Sequence, residues 1–190
     1  IKSVGSISND YSVSVYTTHA VHNGIENNYC VRKKINNGCV KVIEKDQTFQ
    51  LGDFKVTPFE VPHDSTDNVG YKIENNGITF VLMTDIGHIT DDMHKYISEA
   101  NHDEEMLING PYPEHLKIRI SGPNGHLSNS ECGNALAEYA TPELKHVWLC
   151  HLSEENNHPV LAQKTIETTL RAHGIVAGVD FKLEVLKRKI

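Results

Sequence analysis

Hydrophobic positions fall into short extended runs in the first half of the chain and into helical stripes in the second. Ser12 to Tyr16 and Val40 to Glu44 alternate as strands do, Lys2 to Tyr11 has the pattern of a helix end, and the polar stretch Thr18 to Asn28 is a candidate helix. A hairpin is the firmest local signal: Tyr71 to Glu74, the turn Asn75-Asn76-Gly77, then Ile78 to Thr84. Asn-Gly supplies the positive φ angles of a type I′ turn, whose twist matches that of paired strands. After it, Thr90 is a candidate N-cap, and Asp91 and Asp92 complement the dipole of a helix reaching about Ala100.

Ser128-Asn129-Ser130-Glu131 fits a capping box ahead of Cys132, Ala135, Leu136 and Tyr139, so a helix is predicted from about Asn129 to Ala140. Another starts at Pro159, buries Ala162, Ile166 and Leu170 at four-residue spacing, and stops at Gly174 as a left-handed cap. Val147 to Cys150 is too short for a helix and is β-branched and aromatic, and Phe181 to Leu186 alternates like a final strand. Alternation of strands and helices favours an α/β layered architecture over a bundle or an all-β barrel. No internal repeat or low-complexity linker is present.

Three of the extended runs close on a potential metal ligand. Lys55 to Pro62 leads to His63 and Asp64, Ile78 to Thr84 to Asp85, and Val147 to Cys150 to His151. Imidazole nitrogens and a carboxylate oxygen suit zinc, manganese or iron, and parallel neighbouring strands would bring such ends together. Singly, each has a plainer explanation: His151 as a surface or hydrogen-bonded core histidine, Asp85 as a helix or turn cap, His63 as a strand-end residue before an Asx turn. His126 lies in the loop Gly122-Pro123-Asn124-Gly125-His126-Leu127, at the mouth of the capped helix. There it either holds an anionic oxygen or passes a proton to a leaving group, or merely fixes chain entry beside a hydrophobic staple. Lys117 and Arg119, just upstream, are either phosphate contacts or a solvated helix face.

Composition narrows these options. With 190 residues and 38% hydrophobic content the chain suits one domain with its own core. Its formal net charge of -7 excludes a generally basic nucleic-acid binder, although a cationic groove or a bound metal can reverse the potential locally. Cys30, Cys39, Cys132 and Cys150 form no CxxC pair, as expected of reduced thiols in a cytoplasmic protein. Neither a signal peptide nor an apolar run of membrane length is visible, so no membrane partner is expected. The first residue, Ile1, is not an initiator methionine, which suggests a processed product or a fragment.

Seven segments, in order, extend the picture: Phe59 to Asp64, Val69-Gly70-Tyr71, Thr84 to Gly87, Asn101 to Leu107, Gly110 to Pro113, Gly125 to Asn129, and His151 to Asn157. Together they resemble the YycJ/WalJ type of metallo-β-lactamase-fold hydrolase across nearly the whole chain. The resemblance implies an αβ/βα sandwich with two divalent metal ions, zinc or manganese with iron also allowed, and hydrolysis of nucleic-acid phosphodiesters, DNA or RNA, by a hydroxide activated between the ions. It implies His63 and His151 as metal ligands, Asp85 as the carboxylate bridging both ions, and His126 as the phosphate-binding or proton-donating histidine. Such hydrolases also carry a His-x-His-x-Asp-His cluster before a helix resembling Ile1 to Tyr11, and the sequence opens just after that place. Residues 1–190 are therefore expected to form an incomplete sandwich lacking its N-terminal strands and first metal motif, with apolar sheet faces left exposed. No apolar strand fits between Ser98 and His102, where the family has one. Two alternatives stay open: a metallo-hydrolase of a small ester, lactone or lactam, and a noncatalytic truncated fragment.

Overall fold

A computed structural model of the chain describes residues 2–90, 93 and 99–186. It resolves into two compact units, Ile1–Glu60 with Ser65–Val81, and Val61–Asp64 with Leu82–Ile190. The order of elements is α1 (Val4–Tyr11), β1 (Val15–Thr17), α2 (His19–Asn27), β2 (Val40–Val42), β3 (Phe49–Leu51), β4 (Phe54–Glu60), β5 (Val69–Asn75), β6 (Ile78–Leu82), α3 (Glu104–Asn109), α4 (Glu114–Ile120), α5 (Asn129–Tyr139), β7 (His146–Leu149), α6 (Pro159–Ala172) and β8 (Lys182–Val185).

In the first unit β1 pairs in parallel with β2, Val15 opposite Val40. Beside them Ile25, Val31 and Ile35 form a small core, with Val4, Val15 and Val21 packed against it. Thr18 caps α2 by accepting from the Val21 N–H, and its hydroxyl donates to Asp67, which also pairs with Lys45. Strands β3 to β6 form a second sheet in chain order. At the hairpin, Asn76 and Gly77 take φ angles of 49° and 76°, the left-handed pair that the Asn-Gly turn demands. Since β4 is antiparallel to β5 and a two-residue turn returns β6 antiparallel as well, β4 and β6 run the same way with β5 between them. The runs leading to His63 and Asp85 are thus not parallel neighbours, as the sequence suggested, but next-nearest strands ending at one edge. Apolar side chains of this sheet, Phe54, Ile78 and Phe80 among them, stand exposed.

The second unit carries the larger core. Ala162, Ile166 and Leu170 of α6 have no exposed surface, and Leu149 of β7 and Cys132 of α5 are as deeply buried. Burial of each large aliphatic side chain contributes roughly 1.5–3 kcal/mol. Helices α5 and α6 approach closely at Gly133, where a Cβ would stand 3.0 Å from Thr169 Cβ. The capping box forms in full, Ser128 accepting from the Glu131 N–H while Glu131 accepts from the Ser128 N–H, and α6 begins on Pro159 and gives way to Gly174 at φ 79°. Strand β7 pairs in parallel with β8.

The short helix α3 and the strand β3 were not anticipated, and α4 is the helix whose face was one of two readings of Lys117 and Arg119. α3 is set by Asp103, which accepts from the Met106 N–H, and α4 by the preceding Pro113, in segments too short to show a helical period. Most of the helix expected from Thr90 to about Ala100 lies outside the described residues. In place of an apolar strand before His102, the chain makes two isolated parallel bridges, Glu99 with Cys150 and His102 with Ser128.

Candidate metal centre

All the candidate residues belong to the second unit. His63 follows β4 on the short segment Val61–Asp64, where Val61 is buried. Pro62 O accepts from the Gly87 N–H at 2.7 Å and the Asp64 N–H donates to Asn124 O at 3.0 Å. These bonds tie the His63 segment to the residues after Asp85 and to the loop before His126. Gly87 is required by this clasp, since a Cβ there would lie 2.6 Å from Asn124 Cα and from Pro123 O. Asp85 and His151 both take left-handed backbone angles, φ 61° and 58°. For residues other than glycine this costs on the order of 1 kcal/mol or more each, and it persists where surrounding contacts impose it.

The side chains converge. Asp85 Oδ1 lies 3.9 Å from His63 Nε2 and 3.4 Å from His151 Nε2. The His126 ring lies beside both other imidazoles, its centroid 5.0 Å from that of His63 and 5.2 Å from that of His151. One carboxylate oxygen facing two imidazole nitrogens is a donor set that fits divalent zinc, manganese or iron. Burial lowers the His63 pKa, with the Asp85 charge opposing and the His126 charge adding to the effect. The lowered pKa favours the neutral imidazole, the form that binds a metal.

Sequence reasoning missed the residue that joins these groups. Glu99 has no exposed surface. Its Oε1 receives Nδ1 of His126 at 2.9 Å and Nδ1 of His151 at 3.1 Å, while its Oε2 accepts from the backbone N–H of Ile86, next to Asp85. Burial pushes the Glu99 pKa up, but the bonds from His126, His151 and Ile86 together outweigh it, and the group is held as a carboxylate. An oxygen that accepts from both rings fixes each Nδ1 as the protonated nitrogen, so Nε2 of His151 offers its lone pair toward Asp85. The one available signal was an acidic residue where an apolar strand was expected.

The basic pair upstream of His126 is already engaged. The Arg119 guanidinium forks onto Asp64, Nη2 donating to Oδ1 at 2.8 Å, and Lys117 Nζ donates to Ile108 O. The Arg119 hydrogen bond is the main reason the Asp64 carboxyl lies below its usual range.

Known proteins share this arrangement of sequence and fold. The pattern of the "Beta-lactamase superfamily domain" matches residues 4–152. The chain is 32% identical over 198 positions to "Exodeoxyribonuclease YycJ" of Bacillus anthracis, covering 96% of this chain and 71% of that protein. Among solved structures it resembles the metallo-beta-lactamase fold protein YhfI of Bacillus subtilis, with a TM-score of 0.63 and 16% identity over 98% of this chain and 68% of that one. It also resembles Zn(2+)-bound PqqB of Methylobacterium extorquens, with a TM-score of 0.59 and 17% identity over 93% and 64% of the respective chains. The α/β architecture is thus that of the metallo-β-lactamase fold, and the chain belongs to the beta-lactamase superfamily domain family.

Proposed function

We propose that the protein is a metal-dependent phosphodiesterase that cleaves nucleic acid, with DNA as its substrate. The observation that carries this reading is the Asp85 oxygen flanked by Nε2 of His63 and of His151, with His126 beside them. His63, Asp85 and His151 would hold divalent ions, zinc or manganese with iron also compatible, and such ions supply Lewis acidity and a water of lowered pKa. The name of the Bacillus anthracis relative, an exodeoxyribonuclease, supports DNA, and action from an end, over other phosphodiesters. Four free thiols support a reducing, cytoplasmic setting, and no helix among the described residues is long and apolar enough to cross a membrane.

His126 has the surroundings of a proton donor. Its Nδ1–H donates to the buried Glu99 carboxylate, which orients the ring. With Nδ1 engaged by Glu99, proton transfer to the oxygen that departs from phosphorus falls to Nε2. As a water oxygen bonds to phosphorus and the bond to the departing oxygen breaks, that oxygen takes the His126 proton and leaves as an alcohol. Substrate anions and a chain of net charge -7 repel one another, so cations at the centre, rather than the protein surface, supply the attraction.

A substrate panel tests the reading. After loading with zinc or manganese, the protein is incubated with end-labelled DNA, RNA of the same sequence, a lactam and a thioester. Progressive release of nucleotides from DNA, with lactam and thioester intact, is expected. Hydrolysis of the lactam or thioester without phosphodiester cleavage would overturn it.

A further inference from the structure

We infer that Asn101 is a positioning residue whose side-chain amide holds His151 in its ligand-presenting conformation, an inference that rests on reading His151 as a metal ligand. His151 leaves β7 at φ 58°, a backbone angle that needs an external tether. Asn101 supplies one: its Nδ2 donates to His151 O at 2.8 Å. The same amide nitrogen lies 3.3 Å from His151 Nδ1. That nitrogen already carries its proton toward Glu99 Oε1, so two donors meet there and the carbonyl is the amide's productive partner. The orientation of the amide follows, because turning it over would set Oδ1 against the His151 carbonyl oxygen.

The tether is itself held rigidly. The Asn101 N–H donates to Leu127 O at 2.9 Å, and Asn101 O accepts from the Ser153 N–H at 2.7 Å. Asn157 Nδ2 donates to Asn101 O and Ala100 O, each at 3.0 Å, and to Asn129 Oδ1 at 2.8 Å. Asn129 Nδ2 returns a bond to Asn157 Oδ1 at 3.1 Å, and both of these asparagines are buried. Residue 101 therefore stands on a staple that joins the segment after Glu99 to the start of α5 and to the approach to α6. From that base its amide acts on His151 alone among the candidate ligands. The start of the Asn101 to Leu107 segment thereby acquires a use, Asn101 aligning His151 and Asp103 capping α3.

The test compares the wild-type chain with Asn101→Ala and with Asn101→Asp, which keeps the shape but replaces the donor with an acceptor. Zinc affinity is measured by chelator competition, thermal unfolding is followed on the metal-free proteins, and the His151 ring is observed by NMR without metal. Wild type should show His151 as one tautomer, protonated on Nδ1. Both variants should bind zinc about 10- to 100-fold more weakly, the usual effect of losing a group that orients a ligand, and, as the untethered ring leaves its contact with Glu99 Oε1, their His151 ring signals should lose the single-tautomer signature. If Asn101→Ala fails to fold, the isosteric Asn101→Asp carries the comparison. Zinc affinity indistinguishable from wild type in a folded variant would overturn the inference, as would weaker zinc binding with unchanged His151 ring signals, which marks a purely structural loss. Failure of the wild-type chain to bind zinc would instead count against the metal centre, and the ring signals would still report on the tether.

Discussion

His126 and Glu99 meet at 2.9 Å, and the consequence belongs to single residues. Replacing His126 by alanine removes the proton donor but none of the three proposed ligands. The expected outcome is a fall in kcat of roughly 10²- to 10⁴-fold with bound metal unchanged, read by steady-state kinetics beside elemental analysis. Equal loss of metal would make His126 a ligand instead. The ligand candidates were legible because each ends an extended run, where a polar residue after apolar ones is conspicuous. Glu99 was not, because a glutamate in a polar stretch reads as solvated, and only folding brings it to His126, His151 and Ile86. The role of Asn101 was hidden likewise, since its partner lies 50 residues away in sequence.

Elements were legible where local chemistry specifies them and obscure where tertiary contact does. The Ser128–Glu131 box, the Asn76-Gly77 turn and the stripe Ala162, Ile166, Leu170 each formed as their patterns required. β1 instead starts at Val15, later than the alternation from Ser12 suggested, since its extent is set by pairing with β2. Leu170, with no exposed surface on α6, gives the sharpest test of packing: Leu170→Ala should cost about 2–5 kcal/mol in chemical unfolding.

Asp67, which links the α2 cap to Lys45, gives a pH test. Burial raises its pKa, but bonds from Lys45 and Thr18, with the Lys45 charge, outweigh that and leave it lowered. Folded protein thus binds this proton more weakly than the unfolded chain does. The stabilisation is complete above the ordinary carboxylate pKa of about 3.9 and is lost as pH falls through the lowered folded value. Asp67→Asn should therefore unfold at a lower temperature than wild type near neutral pH, with the gap closing in acid. A gap independent of pH would remove the ion pair from the explanation.

Across the whole molecule, the α/β class was legible from the alternation of strands and helices and the family because seven short segments occur in order, whereas the division into two compact units left no composition break or linker to read. The chain spans 71% of the length of the Bacillus anthracis relative it matches. The proposed ligands and the residues that orient them all lie within one of the two units, so the central claim concerns that unit's chemistry directly. The most direct measurement is the rate of DNA cleavage by one preparation as purified, after chelation, and after return of zinc or manganese, with Asp85→Asn carried alongside. Cleavage should disappear with chelation and return with metal, and Asp85→Asn should not recover it. Cleavage that persists through chelation, or that Asp85→Asn performs at the wild-type rate, would contradict a metal centre built on His63, Asp85 and His151.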